Sequence, residues 1–424
     1  MFKKRYSLIA ACVVFLNLLI FVLQIKTFGT TSIADALFTS ILVITAFMAF
    51  SGVLVDQFVV FYYKSDNRRS KRDSLYVAMF LLSILYGIVF YLLLTNSLDL
   101  IKYLFFSQFD GYIENSIFQF LKILFFEMAF WPLYILNQKM LNSKAYYSVS
   151  YALNLIPSLA FLIGLSLYYF GQISLEEALI IKVVGVSFAS VVSSIFIFNF
   201  FNISFYDGLD IENKLIKDLI KSSFMMKLGH NIHNFLVIPV FTGYLSSFGT
   251  GVISSFYYAY KSVVILHSIV VGPQVAVCQT EFSKFYSVKN ILGIEKVSRN
   301  YYKFSLFFYI FLWLVGYALV PIIFELIGVG FNYALFLGFY AFLGFWYFLI
   351  TVESVSVLLA VTANRYIYFI GVNLLFIGSF YLITNFLSSY LNLYAVFVAV
   401  CLAQFFSLCL YFIMALKIKK EMTL

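Results

Sequence analysis

A series of long apolar runs, repeated from one end of the chain to the other, limits what this sequence can fold into. An α-helix rises ~1.5 Å per residue, so a run of roughly 20 residues is long enough to cross a hydrocarbon layer ~30 Å thick. The runs fall in twelve windows, at residues 8–27, 34–63, 75–95, 116–137, 146–170, 178–201, 230–248, 250–279, 302–324, 332–361, 366–387 and 391–416. The sequence therefore predicts an all-α polytopic membrane protein with about twelve transmembrane helices.

The composition excludes a soluble globular protein. Only 11% of the 424 residues are charged and 63% are hydrophobic, with a mean hydropathy of +0.96, whereas soluble domains are about 25% charged. Twelve spans leave no room for a large soluble domain. No nucleophile triad, metal-binding motif or phosphate-binding loop occurs, and His230 and His233 have no third ligand nearby. We expect no enzyme activity, no cofactor and no metal site.

The positive charges indicate the orientation of the chain. With twelve spans, 23 of the 28 lysines and arginines fall at the termini or in loops of one side, and cytoplasmic loops carry such an excess. Both termini are therefore predicted to be cytoplasmic. This topology also accounts for the net charge of +9 without a nucleic-acid partner.

Two coincidences of spacing divide the chain into halves. Gly29 and Gly249 lie 220 positions apart in similar Phe-Gly-Thr segments, and Lys144 and Arg365 lie 221 apart before aromatic-rich spans. We predict two parallel six-helix repeats, 1–206 and 228–424, joined by an amphipathic cytoplasmic linker at 207–227 that lies in the membrane surface. Parallel-repeat transporters hold their substrate between the halves.

Two short motifs resemble a known superfamily. Gly251-Val252-Ile253-Ser254 followed by Tyr257-Tyr258-Ala259-Tyr260-Lys261 is similar to the segment that opens helix 8 of lipid II flippases, which belong to the multidrug/oligosaccharidyl-lipid/polysaccharide (MOP) exporters. Lys26-Thr27-Phe28-Gly29, followed by Asp35-Ala36-Leu37-Phe38, resembles another of their motifs. The resemblance implies a MATE-like fold.

The first two windows lack the arginines of lipid II flippases, which shifts the resemblance towards Wzx-type flippases. That likeness implies transport of undecaprenyl-diphosphate-linked oligosaccharide, the repeat unit of O-antigen or capsule, across the bacterial inner membrane. Its implied partners are that lipid, other membrane lipids and the polysaccharide polymerase machinery. A MATE-like multidrug exporter is the alternative. An O-antigen polymerase fits less well, because the longest external loop, 96–115, is short.

Basic groups inside the spans are candidates for binding an anionic substrate. Lys261 lies near the middle of its span and matches a basic position of the motif, so it would neutralise a lipid diphosphate, unless it forms a salt bridge with Glu127 or Glu353. Lys122 is a second candidate. Lys26 is a third, although it is close enough to the outer interface to snorkel, as is Lys182. His267 is either a cavity residue or a core histidine.

Acidic residues inside the spans are candidates for coupling. Glu127 and Glu353 fall in corresponding helices of the two halves, and each would either exchange a proton or pair with Lys122 or Lys261. Asp56, near the inner end of the second span, is a further cavity carboxylate. Gly272 and Pro273 form the best hinge candidate, because proline removes a backbone hydrogen bond and bends a helix; a static kink is the alternative.

Overall fold

The structure is a computed structural model that describes residues 2–55, 57–64, 69–106, 109–144, 146–206, 213–327, 333–363 and 365–423. This part of the chain contains helices and no strand. Its α-helices are, in chain order, α1 Phe2–Phe28, α2 Ser32–Ser51, α3 Phe58–Lys64, α4 Arg69–Asn96, α5 Leu98–Phe106, α6 Gly111–Leu124, α7 Glu127–Ser143, α8 Tyr147–Ala152, α9 Leu155–Tyr169, α10 Leu175–Phe201, α11 Asn213–Ser246, α12 Val252–Ser287, α13 Ile291–Ile327, α14 Tyr333–Thr362, α15 Tyr366–Leu391 and α16 Ala395–Thr423. A helix satisfies its own backbone polar groups, as a hydrocarbon layer requires.

The prediction of an all-helical, multi-pass membrane protein is confirmed. Among the described residues, eight helical stretches are long and apolar enough to cross a membrane, or nine if the bent pair α6 and α7 is one span. One stretch, Ile367–Met422, covers the last two predicted windows. The other two windows, 8–27 and 230–248, fall within the helices α1 and α11.

Several predicted spans are broken. The second window contains α2, a 3₁₀ turn at Gly52–Leu54 and α3, and the fourth is bent by 46° between α6 and α7. At that bend the backbone bonds shift to three-residue spacing, with Phe126 N–H donating to the Ile123 carbonyl and Met128 N–H to the Phe125 carbonyl. Glu127 therefore lies in the first turn of α7, not at the centre of one straight helix as its window predicted.

Two segments expected to connect spans contain helix. The external loop predicted at 96–115 contains all of α5 and the start of α6. In the predicted linker, residues 207–212 lie outside the described part of the chain, whereas from Asn213 onward the residues belong to α11, which continues without interruption through the next predicted span.

The chain divides into two compact units. The first comprises Met1–Phe28 and Ala36–Lys227. Asn137 of α7 is fully buried there, where it accepts a hydrogen bond from Tyr76 at 2.7 Å and donates to Ser193 and Ser194 of α10 at 2.8 and 2.9 Å. These bonds join α4, α7 and α10 around a core of aromatic and aliphatic side chains.

The second unit comprises Leu228–Leu424 together with the short segment Gly29–Asp35. Stacked and edge-on aromatic rings fill its interior; Phe241, for example, lies 5.2 Å from both Phe256 and Phe397 between ring centroids. The segment Gly29–Asp35 groups with this unit, because Asp35 is hydrogen-bonded to the start of α12. The division into two six-helix lobes with a linker at 207–227 stays a prediction.

Candidate functional site

The carboxylate of Asp35 holds the N-terminus of α12. It accepts hydrogen bonds from the backbone N–H of Gly251 at 2.7 Å, from that of Ser254 at 2.8 Å, and from the Ser254 hydroxyl. The first N–H groups of a helix have no partner within the helix, and a negative charge is favourable there. Asp35 is only 2% exposed, so these bonds replace those that water would supply.

Glycines shape the turn that presents this N-terminus. Gly249 and Gly251 have φ values of 102° and 87°, which L side chains rarely adopt. A Cβ on Gly251 would also lie 3.0 Å from the carbonyl oxygen of Thr30. About two turns into α12, the Tyr258 hydroxyl donates to the Gly29 carbonyl at 3.0 Å. Within the second unit, the segment Gly29–Asp35 of one resemblance motif thus contacts the start of the other motif.

Lys261 lies ten residues beyond Gly251 on α12, about 15 Å along the helix, and is partly buried. The buried rings of Tyr257 and Tyr258 precede it by about one turn on the same helix. The structure thus places a basic side chain well inside an apolar span, as the sequence predicted.

His267 follows on α12 among aromatic residues. Its ring lies 5.1 Å from that of Tyr347 and 6.0 Å from that of Tyr309, both edge-on. Its Nε2 is buried and has no hydrogen-bond partner among the residues that the structure describes. The histidine is thus packed between α12, α13 and α14.

Glu353 of α14 is 7% exposed and is bound by two neutral side chains of α16. Gln404 donates its amide N–H to one carboxylate oxygen, and the Ser407 hydroxyl donates to the other at 3.2 Å. Trp346 in turn donates to the Gln404 carbonyl oxygen at 3.0 Å. Within the described ranges no cationic group pairs with Glu353, so the predicted alternative of a salt bridge with Lys261 is not formed there.

Glu127 forms an ion pair with Lys182 of α10, and not with Lys122 or Lys261 as the alternatives held. The Glu127 side chain is fully buried, and its second oxygen has no hydrogen-bond partner in the described part of the chain. Lys182, which the sequence placed close enough to the outer interface to snorkel, has its ammonium group on this carboxylate. A buried carboxylate attracts the ammonium inward, because an uncompensated charge in this environment is costly.

The remaining candidates from the sequence are two lysines, one aspartate and the proposed hinge. Lys122 and Lys26 are exposed, with ammonium groups 4.4 Å from the Phe118 ring centroid and 5.3 Å from that of Tyr169. Asp56 lies outside the described residues. Gly272 and Pro273 fall within the continuous helix α12, and their role as a hinge stays a prediction.

Sequence reasoning missed several residues that complete these sites. Asp35 was quoted only as part of a motif, although an acidic residue within an apolar span is itself a signal. Gln404 and Ser407 are polar residues three positions apart in the apolar first half of α16, a spacing that places them on one face. For Lys182 the sequence offered no local signal, since its partner lies 55 residues away.

No protein-family model matches this sequence, and no curated protein matches it. Solved structures do. An inward-facing multidrug-resistance MATE transporter of the MOP superfamily matches with a TM-score of 0.72 at 13% identity, covering 98% of this chain and 99% of that one. The lipid II flippase MurJ, in an inward closed conformation, matches with a TM-score of 0.71 at 18% identity, covering 99% and 90%.

A third match is a MOP-superfamily transporter from Pyrococcus furiosus Vc1, described as having a binding pocket of reverse polarity. Its TM-score is 0.71 at 15% identity, and the alignment covers 99% of this chain and 96% of that one. The fold is thus that of a polytopic membrane transporter. It is the fold that MATE transporters and MurJ share, as the motif resemblance implied.

The Asp35 contacts generate a prediction about stability. Replacing Asp35 with alanine leaves two buried N–H groups and a hydroxyl without an acceptor, which we expect to lower the free energy of unfolding by about 2 kcal/mol. Thermal unfolding of the purified protein in detergent measures this change. The control is Asp110→Ala, at the exposed N-cap of α6, where no side-chain bond to the helix forms. Equal midpoints for the two variants would contradict the assignment.

The ion pair in the first unit generates a second prediction. Glu127→Leu leaves Lys182 without its partner and should cost about 3 kcal/mol, whereas Glu127→Leu combined with Lys182→Met should recover most of that loss. The same unfolding measurement on Lys182→Met alone completes a double-mutant cycle. If the two single effects simply add in the double variant, the pair does not interact as the structure indicates.

Proposed function

We propose that this protein is a flippase that moves undecaprenyl-diphosphate-linked oligosaccharide repeat units, of O-antigen or capsule, across the bacterial inner membrane by alternating access. The translocated units would then pass to the polysaccharide polymerase machinery. The fold supports transport in general, because it is shared with MATE transporters and with a lipid II flippase. The choice of substrate rests on the chemistry of particular residues.

The observation that carries the proposal is Lys261, a basic residue deep in an apolar span. An ionisable group at this depth is costly to insert and usually serves a substrate or a wet cavity. A lipid diphosphate brings negative charge to that depth, and an ammonium group is a strong donor to phosphate oxygens. Lys26, Lys122 and His267 stay secondary candidates for substrate contact, since two are exposed and the third is packed among tyrosines.

The coupling role falls to Glu353 more readily than to Glu127. Lys182 already neutralises Glu127, so adding a proton there would leave an unpaired ammonium group. Glu353 instead meets neutral donors among the described residues, and a proton on it would neutralise a charge that has no counter-ion. We propose that Glu353 takes up and releases a proton during the transport cycle.

A multidrug exporter of the MATE type is the second candidate. The observation in its favour is the same carboxylate, because a buried acid with no cationic partner in the described ranges would attract a cationic drug. Lys261 argues against this function, since a basic group repels such a substrate. An O-antigen polymerase is a weaker alternative, because the segment at 96–115 is short and largely helical.

A strain carrying Lys261→Ala tests the substrate proposal. We expect undecaprenyl-linked single repeat units to accumulate and surface polysaccharide to fall about tenfold or more, as in a strain lacking the protein, because losing one partner of a phosphate contact costs at least ~1.4 kcal/mol. Lys261→Arg should retain most transport. The control is Lys296→Ala, at an exposed position on α13.

Other outcomes of that experiment would overturn the proposal. Normal surface polysaccharide with altered sensitivity to cationic drugs in the deletion strain would assign the protein to multidrug export. Single units that reach the outer leaflet but stay unpolymerised would indicate a polymerase.

Glu353→Gln tests the coupling role. The amide keeps the size of the side chain and an oxygen that accepts from Gln404, but it cannot bind or release a proton. We expect proteoliposomes with this variant to lose most of the stimulation that a pH gradient gives to the unaltered protein. The control, Glu176→Gln at an exposed position in the first turn of α10, should respond normally. An undiminished response of Glu353→Gln would exclude it as the coupling group.

A further inference from the structure

A narrow apolar groove runs between α15 and α16 in the second unit. Its volume is about 270 Å³. Its floor is formed by the buried side chains of Val372, Met414 and Ile418. Its walls are the exposed side chains of Tyr368, Leu410 and Ile413. In a membrane-spanning unit, such a groove with an apolar floor and lipid-facing walls suits a hydrocarbon chain.

Charged groups line one end of the groove. Arg365, the N-cap residue of α15, pairs with Glu421 near the end of α16. The ammonium group of Lys417 lies 6.0 Å from the ring centroid of Tyr368, and no carboxylate among the described residues pairs with it. Arg365, Lys417 and Glu421 together carry one net positive charge. This end of the groove is therefore complementary to an anion.

The dimensions match one leaflet of a bilayer. From Leu410 to Glu421, α16 advances about 16 Å, close to half of a ~30 Å hydrocarbon layer. Arg365 and Lys417 belong to the set of basic residues that predicts the cytoplasmic side. The charged end would thus lie at the inner membrane surface and the apolar end within the inner leaflet.

We propose that this groove binds an anionic phospholipid of the inner leaflet. Lys417 and Arg365 hold its phosphate, and an acyl chain lies along Val372 and Met414. Basic pockets between transmembrane helices on the cytoplasmic side are suited to anionic head groups in this way. The proposal stands on the groove and its charges alone and does not depend on which substrate the protein transports.

The test is lipid retention by the purified full-length protein, measured by native mass spectrometry with phosphatidylglycerol or zwitterionic phosphatidylcholine added. We expect phosphatidylglycerol to be retained about fivefold more strongly, and Lys417→Gln to remove most of that preference. Ile413→Trp, which narrows the groove, should weaken retention of both lipids. Lys296→Gln, an exposed lysine on α13 outside the groove, is the matched control and should change nothing.

Three results would overturn the proposal. Equal retention of the two lipids would show that charge is not recognised. An unchanged preference in Lys417→Gln would place the lipid elsewhere. Displacement of phosphatidylglycerol by millimolar inorganic phosphate alone would show that the groove contributes nothing and that the site binds any phosphate. Comparing the two lipids and free phosphate on the unaltered protein decides the question even if a variant fails to fold.

Discussion

The constraint on which this structure depends is that a hydrocarbon layer offers no hydrogen-bond partner and no counter-ion. Backbone groups satisfy their hydrogen bonds within helices, which make up most of the described part of the chain. A buried acidic side chain needs partners of its own, and three of these side chains have different partners. Asp35 accepts from the N-terminus of α12, Glu127 pairs with Lys182, and Glu353 accepts from neutral side chains of α16.

These three solutions imply different chemistry for the same functional group. The Asp35 carboxylate accepts from helix N–H donors, to which a negative charge is complementary, and it joins the segment Gly29–Asp35 to α12. Glu127 is paired with the ammonium group of Lys182. Glu353 has only neutral donors among the described residues, so its charge has no counter-ion there. This difference is the reason that we propose Glu353, and not Glu127, as the group that exchanges a proton.

The sequence was sufficient to predict the fold class, because apolar length and the scarcity of charge determine it directly. It also indicated Lys261, since a lysine within an apolar run stands out. It could not reveal the bend before Glu127, which arises from a local shift in backbone bonding, or the Lys182 partner, which is distant in the chain. The contact between Asp35 and Gly251 could have been predicted, because both residues lie in motifs that carry the resemblance.

Transport of a lipid-linked oligosaccharide is the central claim, and reconstitution tests it most directly. Proteoliposomes would carry a fluorescent undecaprenyl-diphosphate oligosaccharide, and a membrane-impermeant quencher would report how fast it leaves the inner leaflet. We expect the protein to accelerate this movement, Lys261→Ala to abolish the acceleration, and a cationic dye not to be transported. Movement no faster than in protein-free liposomes, together with transport of the dye, would contradict the account.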